Sequence, residues 1–155
     1  MDKKIYKIAI TGGPCGGKSK AMSYLMERLT ELGFYVIVVP EQATFMIEGS
    51  NIRPGKHGID VSYFQKELLR GQIEVEDRYQ RVAEFSDAEK IIILCDRGAL
   101  DGMAYVPGGI TEFIQISAGI KSIGSMRSRY DGIVHLVTAA DGAEEYYTLE
   151  NNTAR

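Results

Sequence analysis

The chain has 155 residues, 45% of them hydrophobic and 25% charged, and a formal net charge of -3. That length supports one domain with a real core and not two, and the composition is that of an ordinary soluble globular protein. Basic residues are spread along the chain with no run of like charge, which argues against a general electrostatic grip on nucleic acid. No apolar stretch approaches the roughly 20 residues a membrane span needs.

The N-terminal "MDKKIYKIAI" has two lysines and then a strand-like run, without the long apolar segment and small-residue cleavage site of a signal peptide. Residues 4–11 read as a short apolar strand, ended by Gly12 and Gly13. Residues 18–32 carry Met22, Leu25, Met26 and Leu29 at helical spacing, and Gly33 stops the helix. "FYVIVVP" is a second strand, β-branched and apolar on both faces, as in a parallel sheet covered by helices. Residues 49–60, "GSNIRPGKHGID", are a Gly- and Pro-rich loop. One long helix is expected from Val61 to about Phe85, bent or interrupted near Gly71. "KIIILCD" is a third buried strand, and "RGALDGMAYVPGG" is irregular. One or two helices follow between Thr111 and Arg129, then a fourth strand, "GIVHLVT", and a short polar end. Strands alternating with helices predict a parallel α/β sandwich with right-handed crossovers. A fifth strand and a closing helix are missing from this pattern, so the fold is expected to lack the last strand.

The chemistry starts in "GGPCGGKS". Gly12, Gly13, Pro14, Cys15, Gly16, Gly17, Lys18 and Ser19 match G-x-x-x-x-G-K-[ST] between a buried strand and an amphipathic helix. Glycines let backbone N–H groups approach phosphate oxygens, and the helix points its positive end at the same anion. Lys18 supplies a point charge to the β- and γ-phosphates, and the Ser19 hydroxyl is placed for Mg2+. The plain alternative is a glycine-rich turn before a helix. Cys15 reads as a small filler, although a helix N-terminus also lowers thiol pKa values. With Cys95 as the other cysteine there is no disulfide framework, which fits a reducing, cytoplasmic setting.

Asp96 ends the third strand, where an acid beside a phosphate loop holds magnesium directly or through water. The next residue, Arg97, stands where many mechanical ATPases place a second, water-activating acid. It offers an always-charged fork suited to phosphate. Neither an N-K-x-D guanine reader nor a D-x-x-G switch is present, and the length leaves no space for a helical lid domain. By elimination the loop resembles one that transfers the γ-phosphate. Glu41 follows the second strand, at the carboxyl end where ligands of parallel sheets bind. It is placed to accept a proton from a hydroxyl or to hold a ribose, against the alternative of an acid at a helix N-terminus. Thr44 is a weaker candidate. Arg53, Lys56 and His57 are positioned to close over an anionic or nucleoside substrate, or form a solvated loop. Phe64 and Gln65 face either the cleft or the core, and His135 is expected to be a core histidine.

Together "ITGGPCGGKS", "VVPEQAT", "CDRGALDGMAY" and "YYTLENNTAR" resemble the AAA-type domain shared by the NadR nicotinamide riboside kinase and the fly TRPL translocation defect protein. The layout of phosphate loop, Glu after strand two and Asp-Arg after strand three is more distantly similar to nucleoside and nucleotide kinases. The resemblance implies a single P-loop nucleotide-binding domain over residues 1–155, with a kinase-like strand order. It implies ATP or GTP held by residues 12–19 and Lys20, Mg2+ served by Ser19 and Asp96, and an acceptor facing Glu41 and Arg97. Lys20 departs from the small residue of many relatives. Those relatives continue past "NNTAR" into an acidic helix and a final strand, so a C-terminal truncation is expected. Arg155 is then what remains of a lid whose arginines contact the transferring phosphate. Three functions stay open: a magnesium-dependent kinase of a small hydroxyl compound, a nucleotide-dependent regulatory module, and a slow ATPase.

Overall fold

In the protein's structure, a computed structural model, residues 2–13 and 16–137 are described. Its architecture follows from the strand β3, Lys90–Asp96, in which Ile91 to Cys95 are all buried. A strand apolar on both faces has to lie inside a sheet covered on both sides. It pairs in parallel with β1, Lys4–Gly12, on one edge and with β2, Tyr35–Val39, on the other. β1 in turn carries β4, Gly132–Leu136, also parallel, giving the order β2-β3-β1-β4. This is the expected parallel α/β sandwich, and it sets the phosphate-loop strand directly beside the strand that ends in Asp96.

Side chains alternate along β3 with the strand period of two. Ile91, Ile93 and Cys95 pack with Ala9, Val39 and with Ala83 of α3, Val61–Phe85. Ile92 and Leu94 pack on the other face with Ile10 and with Met22 of α1, Lys18–Glu31. Leu25 and Leu29 join that contact, whereas Met26, expected on the same stripe, is turned to the rim and exposed. After β2 a short α2, Gln42–Thr44, runs into a wide π-type turn, Phe45–Gly49. Two helices stand where one or two were expected: α4, Gly109–Ser117, and α5, Ile123–Arg127. They enclose Phe113 and Met126 against Leu69 and Ile73 of α3.

Two expectations need correction. α3 runs uninterrupted through Gly71, because one glycine costs a helix only about 1 kcal/mol and this helix is anchored by its buried face and by Asp60, whose carboxylate accepts from Tyr63 N at 2.8 Å. His135 is not in the core. β4 pairs only with β1 among the described strands, so Ile133, Val134 and His135 are exposed. His135 Nδ1 instead meets Thr11 Oγ1 at 3.2 Å. Thr138, expected at the end of this strand, lies outside the described residues, as does the segment where a lid or further strand was weighed.

A Cβ on Gly71 meets no atom within 4 Å beyond the helix's own backbone. Gly71→Ala is therefore expected to stabilise the fold by about 0.5–1 kcal/mol through unfolded-chain entropy. Urea denaturation checks this: the midpoint rises at constant slope, and a lower midpoint shows the position is not open.

Candidate functional site

The phosphate loop sits between the end of β1 and the start of α1. Gly17 caps α1 in the left-handed region at φ 74°, where a side chain would strain the turn. At Gly12 the constraint is space, since a Cβ would stand 2.5 Å from the Leu136 carbonyl oxygen. Gly16 N donates to Gly13 O at 3.3 Å, and Ala21 N to Gly17 O at 2.9 Å. The Lys18 ammonium pairs with Asp96 Oδ1 across the β1–β3 boundary. Ser19 and Lys20 are exposed on the first turn of α1. Pro14, Cys15 and Arg155 lie outside the described residues.

Arg97 is 9% exposed, and its backbone takes φ 78°, unusual for a residue with a Cβ. Both of its backbone groups are held: N donates to Ile10 O at 3.0 Å, and O accepts from Gln72 Nε2 at 3.2 Å. That conformation turns the side chain back across the loop. Nε donates to Glu41 Oε1 at 2.5 Å, Nη1 donates to Gly12 O at 3.1 Å, and Asp101 Oδ2 lies 3.5 Å from Nη1. The Tyr105 ring lies beneath the guanidinium, 5.7 Å from Cζ to centroid. Burial works against the Arg97 charge, but the hydrogen bond to Glu41 and the nearby acids outweigh it and push its pKa up. For Asp101 burial dominates over Arg97 and raises the carboxyl pKa. Glu41 caps α2, and its Oε2 accepts from Thr44 Oγ1 at 2.9 Å.

Arg97, Asp101 and Tyr105 line both of two cavities. One, of about 360 Å³, is lined by Gly12, Gly13, Arg97 and His135 among others. The other, of about 400 Å³, opens on Glu41, Arg97, Asp101 and Tyr105 and reaches Arg53 and Lys56. Phe64 and Gln65 both line the second cavity although they are buried, so cleft and core are here the same surface. His57 does not line it.

Sequence reasoning missed the support beneath. Glu76, fully buried, accepts from Gln72 Nε2 at 2.7 Å and Tyr130 Oη at 2.6 Å on one oxygen, and from Arg129 Nε at 3.0 Å on the other. Tyr130 Oη also accepts from Ala99 N at 2.7 Å, and Arg129 Nη2 donates to Asp77 at 2.6 Å. Burial, then Glu76, push the Tyr130 hydroxyl pKa up. A signal was present. Gln65, Leu69, Gln72 and Glu76 lie at spacings of four, three and four on the apolar stripe of α3, and polar residues on such a stripe need buried partners.

A family model described as an AAA domain matches residues 7–155. The chain belongs to the AAA domain family. No curated protein matches it. As an AAA domain it is a nucleotide-binding P-loop protein. Among the described residues no helix is long and apolar enough to cross a membrane. Nor do they contain a cluster of three or more metal-ligating side chains. One carboxylate, Asp96, and one hydroxyl, Ser19, still match the sparse protein ligation of Mg2+ when phosphates and water supply the rest.

Glu76→Ala leaves Arg129 and Gln72 without their buried carboxylate and is expected to cost about 3–5 kcal/mol, with Glu76→Gln costing less. Chemical denaturation of both variants checks this. The Cys95 thiol is fully buried, and burial followed by Glu76 pushes its pKa up. It should resist alkylation at pH 8 in the native protein and react after unfolding, as read by peptide mass mapping.

Proposed function

We propose that this AAA domain transfers the terminal phosphoryl group of a magnesium-bound ATP or GTP to the hydroxyl of a small, nucleoside- or nucleotide-like acceptor. One observation carries the reading: a single guanidinium joins Gly12 O of the phosphate loop to Glu41, and both Arg97 and Glu41 wall the 400 Å³ cavity. A donor phosphate on the loop and a hydroxyl in the cavity are thereby brought to the two sides of one residue.

In this mechanism the loop N–H groups and Lys18 hold the β- and γ-phosphates. Asp96 and Ser19 would hold magnesium, which supplies neutralisation of phosphate charge. Arg97 and Thr44 orient the two oxygens of Glu41 toward the cavity. The acceptor oxygen forms a bond to the γ-phosphorus as the bond from that phosphorus to the bridging oxygen breaks. The electron pair leaves with the nucleoside diphosphate, and Glu41 takes the hydroxyl proton. Arg97 stands where a hydrolytic enzyme places an acid, and it is engaged by Glu41 and Gly12.

Lys18→Ala is expected to lose both nucleotide binding and product formation. Glu41→Gln should keep nucleotide affinity within about threefold and lower phosphoryl transfer by on the order of 10². Calorimetry with ATP and GTP, together with product detection over a broad panel of hydroxyl compounds, separates the readings. Nucleotide binding by the wild type with no transfer to any acceptor sinks the kinase and leaves a nucleotide-dependent regulatory module.

A further inference from the structure

The 400 Å³ cavity divides its charges. Its acids, Glu41 and Asp101, lie on Arg97, on the side shared with the phosphate loop. Its other cations, Arg53 and Lys56, belong to the loop between Phe45–Gly49 and α3, and neither has an acidic partner among the described residues. That loop is tightly folded: Ile52 N donates to Met46 O at 2.8 Å, Gly55 N to Ile59 O at 2.7 Å and Ile59 N to Lys56 O at 2.9 Å. Asn51, Gly55, His57 and Gly58 all take positive φ, so the backbone carrying the two cations follows a defined path. Between the two ends the walls are apolar, from Ile47, Val61, Phe64 and Leu68. Two buried oxygens, Gln65 Oε1 and Asp101 Oδ2, receive no hydrogen bond among the described residues. Gln65 is 6% exposed, so its oxygen needs a donor from whatever fills the cavity.

We propose that the acceptor is an alcohol that already carries an anionic group, a phosphate or a carboxylate, held by Arg53 and Lys56 while its hydroxyl lies at Glu41. The apolar body of such a compound fills the space against Phe64 and Leu68, and an N–H or O–H on that body satisfies Gln65 Oε1. A neutral alcohol leaves both cations without an acidic partner. This deepens the phosphotransfer reading and rests on it for the role of the hydroxyl, but the anion-binding claim is tested without turnover.

The test uses the full chain saturated with a non-hydrolysable ATP analogue and magnesium, so that the phosphate loop is occupied. Matched compounds are titrated by calorimetry: adenosine, guanosine, cytidine and uridine, each against its 5′-monophosphate, its 3′-monophosphate and its 5′-carboxylate, and pantothenol against pantothenate and 4′-phosphopantothenate. In at least one set the anionic member binds about tenfold or more tightly than the neutral one. The Arg53→Ala/Lys56→Ala variant erases that difference, and Arg53→Lys/Lys56→Arg restores most of it. Thermal melting confirms that both variants fold. Comparing the phosphates with the carboxylates tells which anion the site takes. The proposal is overturned if no set shows the preference, or if the double alanine variant keeps it. Anion-dependent binding without phosphoryl transfer overturns the kinase reading alone, whereas transfer to neutral alcohols only overturns this proposal and leaves the kinase.

Discussion

A buried guanidinium fixes the geometry on which the rest of the site depends. Taking the Arg97 charge out of water costs several kcal/mol unless acceptors surround it. The partners come from separate segments: two acceptors, Glu41 at the end of β2 and the Gly12 carbonyl at the end of β1, and an ion-pair partner, Asp101, in the turn after β3. None of those segments can drift without exposing an unpaired charge. The left-handed backbone of Arg97 is the local cost, and it persists because Ile10 O and Gln72 Nε2 hold both of its peptide groups. One residue therefore sets the distance from phosphate loop to Glu41.

The hold on Arg97 extends inward. Gln72 joins the Arg97 carbonyl to Glu76, and Glu76 joins Tyr130 and Arg129, so α3, the segment after β3 and the approach to β4 share one polar network. In a low-dielectric interior such a network is favourable only when every member is satisfied, which makes it rigid. The cavity thus has a stiff floor at Glu41 and Arg97 and an exposed rim at Arg53 and Lys56. Under the proposed reading, stiffness belongs here, where a proton and a phosphoryl group would pass between fixed points. The rim, whose side chains reach into solvent, is where that reading has different acceptors told apart.

The parts of this molecule that obey local rules were legible in the sequence. "IIILC" announced a strand buried on both faces, and the glycine pattern before Lys18 announced a phosphate loop, because each depends only on neighbouring residues. The pairing of Asp96 with the loop followed from strand adjacency. What could not be read depends on long-range pairing. Glu76 and Arg129 are 53 positions apart, and an acid amid the charged residues of α3 looks like a solvated face until its stripe is counted. Arg97 was read as a fork suited to phosphate; its bonds to Glu41 and Gly12 O rest on a positive φ that no local pattern announces. His135 was read as core because the strand is apolar, yet β4 pairs on one side only among the described strands. Gly71 carries no local mark that separates a tolerated glycine from a break.

The same geometry bears on why an alcohol rather than water would receive the phosphoryl group under the proposed reading. Glu41, the carboxylate assigned to take the hydroxyl proton, lines the cavity, so discrimination is not left to the phosphate loop itself. Water is small, is always present, and needs no pocket to reach a carboxylate. An alcohol competes only if its body occupies the space and keeps water away from Glu41. The apolar walls of Ile47, Val61, Phe64 and Leu68 favour such a body and offer water few partners. On this view the residue after Asp96 prevents one route to hydrolysis, and the filling of the cavity closes the other. The preference for transfer then resides in surfaces that touch the acceptor and not the nucleotide, and the loop between Phe45–Gly49 and α3 becomes the part of the fold that decides which compound is phosphorylated.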